Sequence, residues 1–532
     1  MSGTENPSRR AFLGRTAGAA GAVSVGSLVG CTGARGGTGR QRSGKGAGTR
    51  AASFGVASEN SLPGDEHWWI KHLGAPDAIM GYAGRASVLP GESVDLYVST
   101  TAREFTVKAF RMGWYGGDLA RRVWESGPVR GHRQLAATRD PQTKTVYTDW
   151  GVSLTVPTHG WPDGAYLFRL DASTGAQRYV PLTVRSHATA GKVVIKNAVS
   201  TWQAYNTWGG YDLYAGPGGY NDRSFVVSFD RPYDKEGALL FMVYERKLIN
   251  LAERMSLPLA YLTSIDVATN PDALAGASAL ISPGHDEYWT PDERDYVTAA
   301  RDSGMNIAFL GANAMFRRIR LEPSRLGPDR RVVCYKTSYP QDPLFGKNNA
   351  LVTNDFRGPP DPDPESSLTG TAYEGYPAVA DFVVAMPDAW MFKRTGVRKG
   401  SRFPALAGVE YDRVNPGYPL ERPIEVLSHS PLTCQGVNSY ADSAYYTHRG
   451  GAGVFNAGTM RWVESFAPPF YHWGLTTAGG HFTTTVTRNV LGAFADGPAA
   501  AKHPARDNLA ATREWPGDPL TAGHNLWPPV VL

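Results

Sequence analysis

The chain has 532 residues, of which 42% are hydrophobic and 19% charged. That is enough length and apolar content for two or three domains with sizeable cores. The net charge of +5 is concentrated before residue 53, where Arg9, Arg10, Arg15, Arg35, Arg40, Arg42, Lys45 and Arg50 face one acid, Glu5. The remainder is near neutral, which argues against nucleic-acid binding through a basic surface. Frequent glycine and proline favour many turns and a large β component.

The first 30 residues read as an address. Ser8-Arg9-Arg10-Ala11-Phe12-Leu13 has the pattern of a twin-arginine export signal. The Ala/Gly-rich stretch from Thr16 to Gly30 is too short and too mildly apolar to span a membrane. It ends in Leu28-Val29-Gly30-Cys31, which resembles a bacterial lipobox. The expectation is export by the twin-arginine route, cleavage before Cys31, and lipidation of its thiol. The chain would then be anchored at the outer face of the bacterial cytoplasmic membrane without spanning it. Residues 31–60 are expected to form a flexible tether, their Gly, Ser and Arg content being that of an unpacked linker.

Residues 61–187 alternate apolar and polar positions, with Gly, Pro and Asp between the runs. Val94/Leu96/Val98, Phe105/Val107/Ala109, Val152/Leu154/Val156, Tyr166/Phe168/Leu170 and Val180/Leu182/Val184 predict five short strands. An Ig-like β-sandwich is the expected fold. Asp163-Gly164-Ala165-Tyr166 resembles a tyrosine corner, a purely structural role for Tyr166.

The pattern changes over 188–500. Strands are predicted at Val193–Lys196, Leu259–Leu262, Ala279–Ile281 and Asn306–Leu310. Helices are predicted from Ala238 to Met255 and from Pro291 to about Ser303. An aromatic, glycine-rich loop is expected over Thr201–Gly210. Alternating strand and helix predict a doubly wound, flavodoxin/amidotransferase-like α/β sheet. From 320 to 420 no clear period is visible. A buried strand near Gly453 and a closing helix over Thr483–Phe494 follow, and residues 501–532 read as a C-terminal extension. Cys334 and Cys434 are a pair or two separate thiols; their spacing does not decide.

Chemistry concentrates in Gly284-His285-Asp286-Glu287-Tyr288-Trp289. Pro283-Gly284 ends a strand, and four residues able to move protons or bind a metal follow. A helix then starts at Thr290-Pro291, with Glu293 completing a capping box. Ligands bind at such strand ends in open α/β sheets. Tyr205, Asp266, His285–Tyr288 and Asn313 all fall there and are expected to converge on one edge. His285 and Glu287 are two apart, so on an extended loop they face the same way, and His285 is placed to act as general base.

The segments Trp202-Gln203-Ala204-Tyr205-Asn206 with Trp208-Gly209-Gly210, Gly284–Trp289, Gly311-Ala312-Asn313 and Ala457-Gly458-Thr459-Met460-Arg461-Trp462 resemble those of the N,N-dimethylformamidase large-subunit family, in matching order across roughly 90–495. The resemblance implies a hydrolase of a C–N amide bond in a small molecule. It further implies one iron per chain, as Fe3+, held by two tyrosines and a glutamate with a histidine nearby. The metal ligands would be Tyr205, Glu287 and, by spacing, Tyr166. His285 and Glu287 would be catalytic, with Asn206 and Asn313 holding the carbonyl oxygen. Hard oxygen donors of this kind suit a ferric ion. A small-molecule amide is then the partner, with membrane contact through lipidated Cys31 and a homo-oligomer as a further option; the enzyme's small companion subunit is not part of this chain.

Two rival readings use the same residues. In one, Trp202, Trp208, Tyr211, Tyr214 and Trp289 line an aromatic cleft of a non-catalytic extracellular protein that binds a sugar or cell-wall ligand. In the other, Asp286 and Glu287 act as the carboxylate pair of a glycosidase, which requires both to face one bond.

Overall fold

The computed structural model describes residues 55–466 and 474–512. The twin-arginine motif, the lipobox and Cys31 lie outside the described residues. The last part of the expected tether is ordered into a short helix, Val56–Asn60. Its Glu59 is buried and accepts from the Tyr115 hydroxyl and from Arg121 Nε, both at 2.8 Å.

The alternating apolar residues form eight principal strands: β1 (Ile79–Ala83), β2 (Ser87–Val88), β3 (Ser93–Thr100), β4 (Glu104–Met112), β5 (Ala120–Glu125), β6 (Leu154–Pro157), β7 (Gly164–Ala172) and β8 (Gln177–Val184). One sheet runs β1-β3-β6 and the other β2-β8-β7-β4-β5. Neighbours are antiparallel except β2 and β8, which run parallel. Every second side chain turns inward. Leu96 and Val98 of β3 thus join Phe168 and Leu170 of β7 in one apolar core.

The next region starts with β9 (Val193–Asn197), α1 (Val199–Ala204), α2 (Leu239–Tyr244), α3 (Arg246–Arg254), β10 (Leu259–Thr263) and α4 (Ser264–Thr269). It continues with β11 (Ala279–Ser282), α5 (Pro291–Asp302) and β12 (Asn306–Phe309). Two long strands follow, β13 (Ala372–Val383) and β14 (Arg402–Arg413). Then come β15 (Ile424–Cys434), β16 (Val437–Thr447), β17 (Gly453–Asn456) and α6 (Thr477–Ala495). The seven-stranded sheet has the order β10-β9-β11-β12-β17-β16-β15. Its first five strands are parallel and its last two antiparallel, so the sheet is mixed rather than fully parallel. Val194, Leu280, Ile307 and Val454, one from each of four adjacent strands, share one core.

Several expectations are corrected. The helix expected over 238–255 is two helices, broken at Glu245 (φ −123°). The carboxylate of Glu245 turns inward and accepts from Asn197 Nδ2 at 2.6 Å, Ala198 N at 3.1 Å and Trp202 Nε1 at 2.7 Å. These contacts fix the start of α1, which occupies the front of the stretch expected to be a loop. The region without a visible period holds the β13–β14 hairpin. Its register shifts at three places, Tyr373/Gly375, Gly375/Ala378 and Ala380/Phe382. Each shift resets the inward–outward alternation, which is why no period of two survives in the sequence. Cys334 and Cys434 are separate, buried free thiols.

The segment leaving β8 closes the edge of the mixed sheet. Ser186 N donates to the Tyr261 carbonyl at 3.0 Å, and Tyr261 N donates to Ser186 Oγ at 3.0 Å. Strand β10 is therefore covered on its outer side. Among the described residues no helix is long and apolar enough to cross a membrane.

Candidate functional site

The site lies beyond the C-terminal ends of β9, β11 and β12, the edge where such sheets place ligands. Tyr205 is the C-cap of α1, which directly follows β9. The chain then loops and returns, with Leu213 N bonded to the Ala204 carbonyl at 3.1 Å. Buried Arg231 holds this loop from below. Its guanidinium donates to the carbonyls of Trp208 (3.0 Å), Tyr211 (2.9 Å) and Asn206 (3.0 Å). Asp212 Oδ1 accepts from Tyr214 N at 2.8 Å and so sets Tyr214 beside Tyr205.

The loop after β11 brings Glu287 to both tyrosines. Thr201 Oγ1 on α1 accepts from the backbone N–H of Glu287 (3.1 Å) and of Tyr288 (3.3 Å). The 311–317 segment pairs with it from the other side: Met315 N donates to the Asp286 carbonyl (2.9 Å) and Arg317 N to the Glu287 carbonyl (2.8 Å). Gly311 is needed for this approach, because a Cβ there would overlap the Gly284 carbonyl.

The side chains form a dense oxygen cluster. The Tyr205 hydroxyl donates to Glu287 Oε2 at 2.5 Å. The Tyr214 hydroxyl reaches both carboxylate oxygens at 2.8 Å and lies 2.9 Å from the Tyr205 oxygen. Tyr288 donates to Tyr214 at 2.7 Å. Glu287 is fully buried. Arg317 Nε reaches Glu287 Oε1 at 3.2 Å, and its other end pairs with Asp355. Burial works against the Arg317 charge, but Asp355, Tyr214 and Glu287 hold the guanidinium protonated well above its ordinary range. Burial, reinforced by Glu287, pushes the Tyr288 phenol well above its ordinary value. Lys336 Nζ lies 3.1 Å from the centroid of the Tyr214 ring, on a buried residue with φ 55°. His285 Nε2 is 3.7 Å from Glu287 Oε2, and its ring lies 5.0 Å from that of Tyr205.

Among the described residues no cluster of three or more His, Cys, Asp or Glu side chains is placed to hold a metal ion. The Tyr205–Tyr214–Glu287 set is of a different kind. Its three oxygens form a triangle with edges of 2.5, 2.8 and 2.9 Å. Oxygen donors about a small cation, at bond lengths near ~2.1 Å, lie ~3 Å apart. The set therefore fits a hard cation that would take the place of the phenolic protons.

The expected site residues divide accordingly. Tyr205, His285 and Glu287 come together. Tyr166 does not join them: it is buried in the core between the antiparallel sheets, its hydroxyl donating to the Pro162 carbonyl at 2.6 Å and its ring stacked on Trp161 at 5.2 Å. That is the tyrosine-corner arrangement. Asn206 is a loop clamp. Its Nδ2 donates to the Pro232 carbonyl at 2.9 Å and its Oδ1 accepts from Trp208 N and Asp234 N, both at 3.1 Å. Asn313 (φ 59°) turns its Nδ2 to Glu410 Oε2 at 2.7 Å. Asp266 completes the capping box of α4 instead of joining the cluster. Asp286 and Glu287 point to opposite sides, Asp286 to Lys196 and Glu287 to the tyrosines, so they do not form a glycosidase pair. Of the residues of the aromatic-cleft reading, Trp202 and Trp289 are buried, whereas Trp208, Tyr211 and Tyr214 are partly exposed.

Sequence reasoning missed Tyr214 as a partner of Glu287, and Arg317 and Lys336 altogether. The turn-rich Gly209–Gly219 stretch signals a chain that doubles back, which would have put Tyr214 near Tyr205. Nothing local marks Arg317 or Lys336.

The family model described as N,N-dimethylformamidase beta subunit-like, C-terminal, matches residues 106–474. The chain belongs to this family. No curated protein matches the chain. Among solved structures, it is similar to a cycloisomaltooligosaccharide glucanotransferase of Paenibacillus sp. complexed with cycloisomaltoheptaose, at 12% identity and a TM-score of 0.14. The match covers 24% of this chain and 17% of that one, and at that TM-score the likeness carries no argument. Within the N,N-dimethylformamidase beta subunit-like match lie Tyr205, Tyr214, His285, Glu287, Arg317 and Lys336.

Proposed function

We propose that this member of the dimethylformamidase-like family hydrolyses a C–N amide bond of a small molecule, using one ferric ion held by Tyr205, Tyr214 and Glu287. The observation that carries the reading is the close triangle of two phenol oxygens and one carboxylate oxygen. Family membership supplies the reaction class. A bound ferric ion would polarise the amide carbonyl and acidify a bound water.

The chain's own residues do the rest. Arg317 holds Glu287 Oε1, so Oε2 stays turned toward the tyrosines. The Lys336 ammonium over Tyr214 favours negative charge on that phenol. His285, beside Glu287 Oε2, takes the proton from the attacking water and returns it to the leaving amine. We place this site on a flavodoxin/amidotransferase-like domain that follows an Ig-like sandwich, in a protein exported by the twin-arginine route and anchored through Cys31.

The test is elemental analysis and absorption spectroscopy of the protein spanning residues 53–532, followed by a screen of small amides. About one iron per chain, a tyrosinate-to-iron charge-transfer band and amine release are expected. Loss of iron and activity in Glu287→Ala should accompany them. Iron-free protein after iron-supplemented expression, or full iron occupancy in Glu287→Ala, overturns the proposal.

A further inference from the structure

Directly behind the oxygen cluster lies a second charged group with no part in the chemistry above. Lys196, next to the C-terminal end of β9, is fully buried. Its Nζ is 2.8 Å from Asp286 Oδ2, pairs with Glu293 on the first turn of α5, and sits 3.4 Å from the centroid of the Trp289 ring. Asp286 Oδ2 also accepts from Ser282 Oγ at 2.7 Å, and the Asp286 carbonyl accepts from Trp289 Nε1 at 2.9 Å. One ammonium thus gathers three residues of a single eight-residue segment, 286, 289 and 293, around the end of a central strand. Asp286 Oδ1 and Glu293 Oε2 have no hydrogen-bond partner among the described residues, so two carboxylates share one cation.

A buried ion pair adds little net stability compared with apolar side chains of the same size. What it supplies is direction. Asp286 stands between His285 and Glu287, and on an extended loop neighbours point to opposite sides. Drawing Asp286 into the core turns the residues on either side of it outward.

We infer that Lys196 and Asp286 are positioning residues: their buried ion pair sets the rotation of the 284–289 loop, and so aims Glu287 and His285 at Tyr205 and Tyr214. The inference rests on the proposed function only for its metal readout. The loop geometry can be read without a metal.

The experiment compares wild-type protein with Asp286→Asn, which keeps the size of the side chain and the Ser282 bond but removes the ion pair. Hydrogen exchange of a peptide covering 283–290 is followed in the metal-free protein, and ferric ion is titrated separately. The amides of Glu287 and Tyr288, held by Thr201 in the wild type, are expected to exchange at least about tenfold faster, while exchange within β7 stays unchanged. Ferric affinity is expected to fall about 10- to 100-fold, the range seen when groups that orient metal ligands are lost. If Asp286→Asn alone does not fold, the neutral variant Lys196→Met/Asp286→Asn/Glu293→Gln keeps the packing volume without any charge and is read in the same way. Wild-type exchange over 283–290 in a folded variant overturns the inference. If wild-type protein takes up no iron, the metal proposal fails, and the exchange arm alone decides this one.

Discussion

Two phenol-to-phenyl substitutions separate the site seen in the structure from the one implied by sequence spacing. The Tyr214 hydroxyl meets both Glu287 oxygens at 2.8 Å and accepts from Tyr288 at 2.7 Å. In Tyr214→Phe a buried carboxylate loses one donor, which costs about 1.5–3 kcal/mol. The Tyr288 hydroxyl also loses its acceptor, at about 1–3 kcal/mol. One of the three proposed metal donors is removed as well. Because loss of a merely supporting group weakens metal binding about 10–100-fold, loss of a donor should weaken it by at least about 100-fold. The Tyr166 hydroxyl has a different role, a single bond to the Pro162 carbonyl. Tyr166→Phe should therefore cost about 1 kcal/mol of stability, up to about 3 if the carbonyl stays unsatisfied, and leave metal binding unchanged. Ferric titration followed by charge-transfer absorption, with urea unfolding in parallel, measures both effects. Iron loss in Tyr166→Phe together with full occupancy in Tyr214→Phe would refute the assignment of the second tyrosine.

Thr201→Val keeps the shape of the side chain but leaves the N–H groups of Glu287 and Tyr288 without their acceptor. Urea unfolding should show a loss of about 2–6 kcal/mol, at about 1–3 kcal/mol for each of the two buried orphans; a loss under ~0.5 kcal/mol would mean that Thr201 does not bracket the loop. Glu374 gives a pH signature. Burial, partly opposed by Arg413 and Arg357, raises its carboxyl from 4.5 to about 7. The folded state then holds this proton more tightly than the unfolded state. Stability falls as pH rises from about 4.5 to about 7 and levels off above that, a change of about 3 kcal/mol for this one group. Glu374→Gln should flatten the melting-temperature profile over that window and be the more stable form at pH 8; an unchanged slope would show that Glu374 does not titrate there.

The parts of the fold legible in the sequence are those where local chemistry and tertiary structure agree. Strands β3, β7 and β8 were legible because their apolar residues recur at every second position and no register shift interrupts their pairing; β4 was legible in spite of a shift against β5 at Ala109/Phe110. Helix α5 was marked by Thr290, whose side chain accepts from Glu293 N, and by Pro291 at its first turn, but the expected capping box is only half made, because the Glu293 carboxylate turns to Lys196 instead of back to the Thr290 N–H. Glu245 was invisible because its break depends on donors supplied by Asn197 and Trp202, more than forty residues away in sequence. The β13–β14 hairpin was hidden by its own bulges. At the site, the 285–287 triplet stood out because three ionisable residues in a row after Pro-Gly are locally unusual. Tyr214, Arg317 and Lys336 are ordinary residues locally, and they matter only through the loops that carry them to Glu287. Tyr166 shows the converse: spacing suggested a ligand, whereas the Asp-Gly-Ala-Tyr sequence already described a corner.

The bonds between Ser186 and Tyr261 also bear on how the protein can be divided. A fragment that starts after residue 188 would retain the whole oxygen cluster yet expose the outer side of Leu259–Thr263, a fully buried five-residue run. Bare apolar strands of this kind recruit further copies of themselves. By covering that edge, the antiparallel sheets at the front of the chain guard the sheet behind them against pairing with its own copies, and a fragment cut away from them is expected to aggregate.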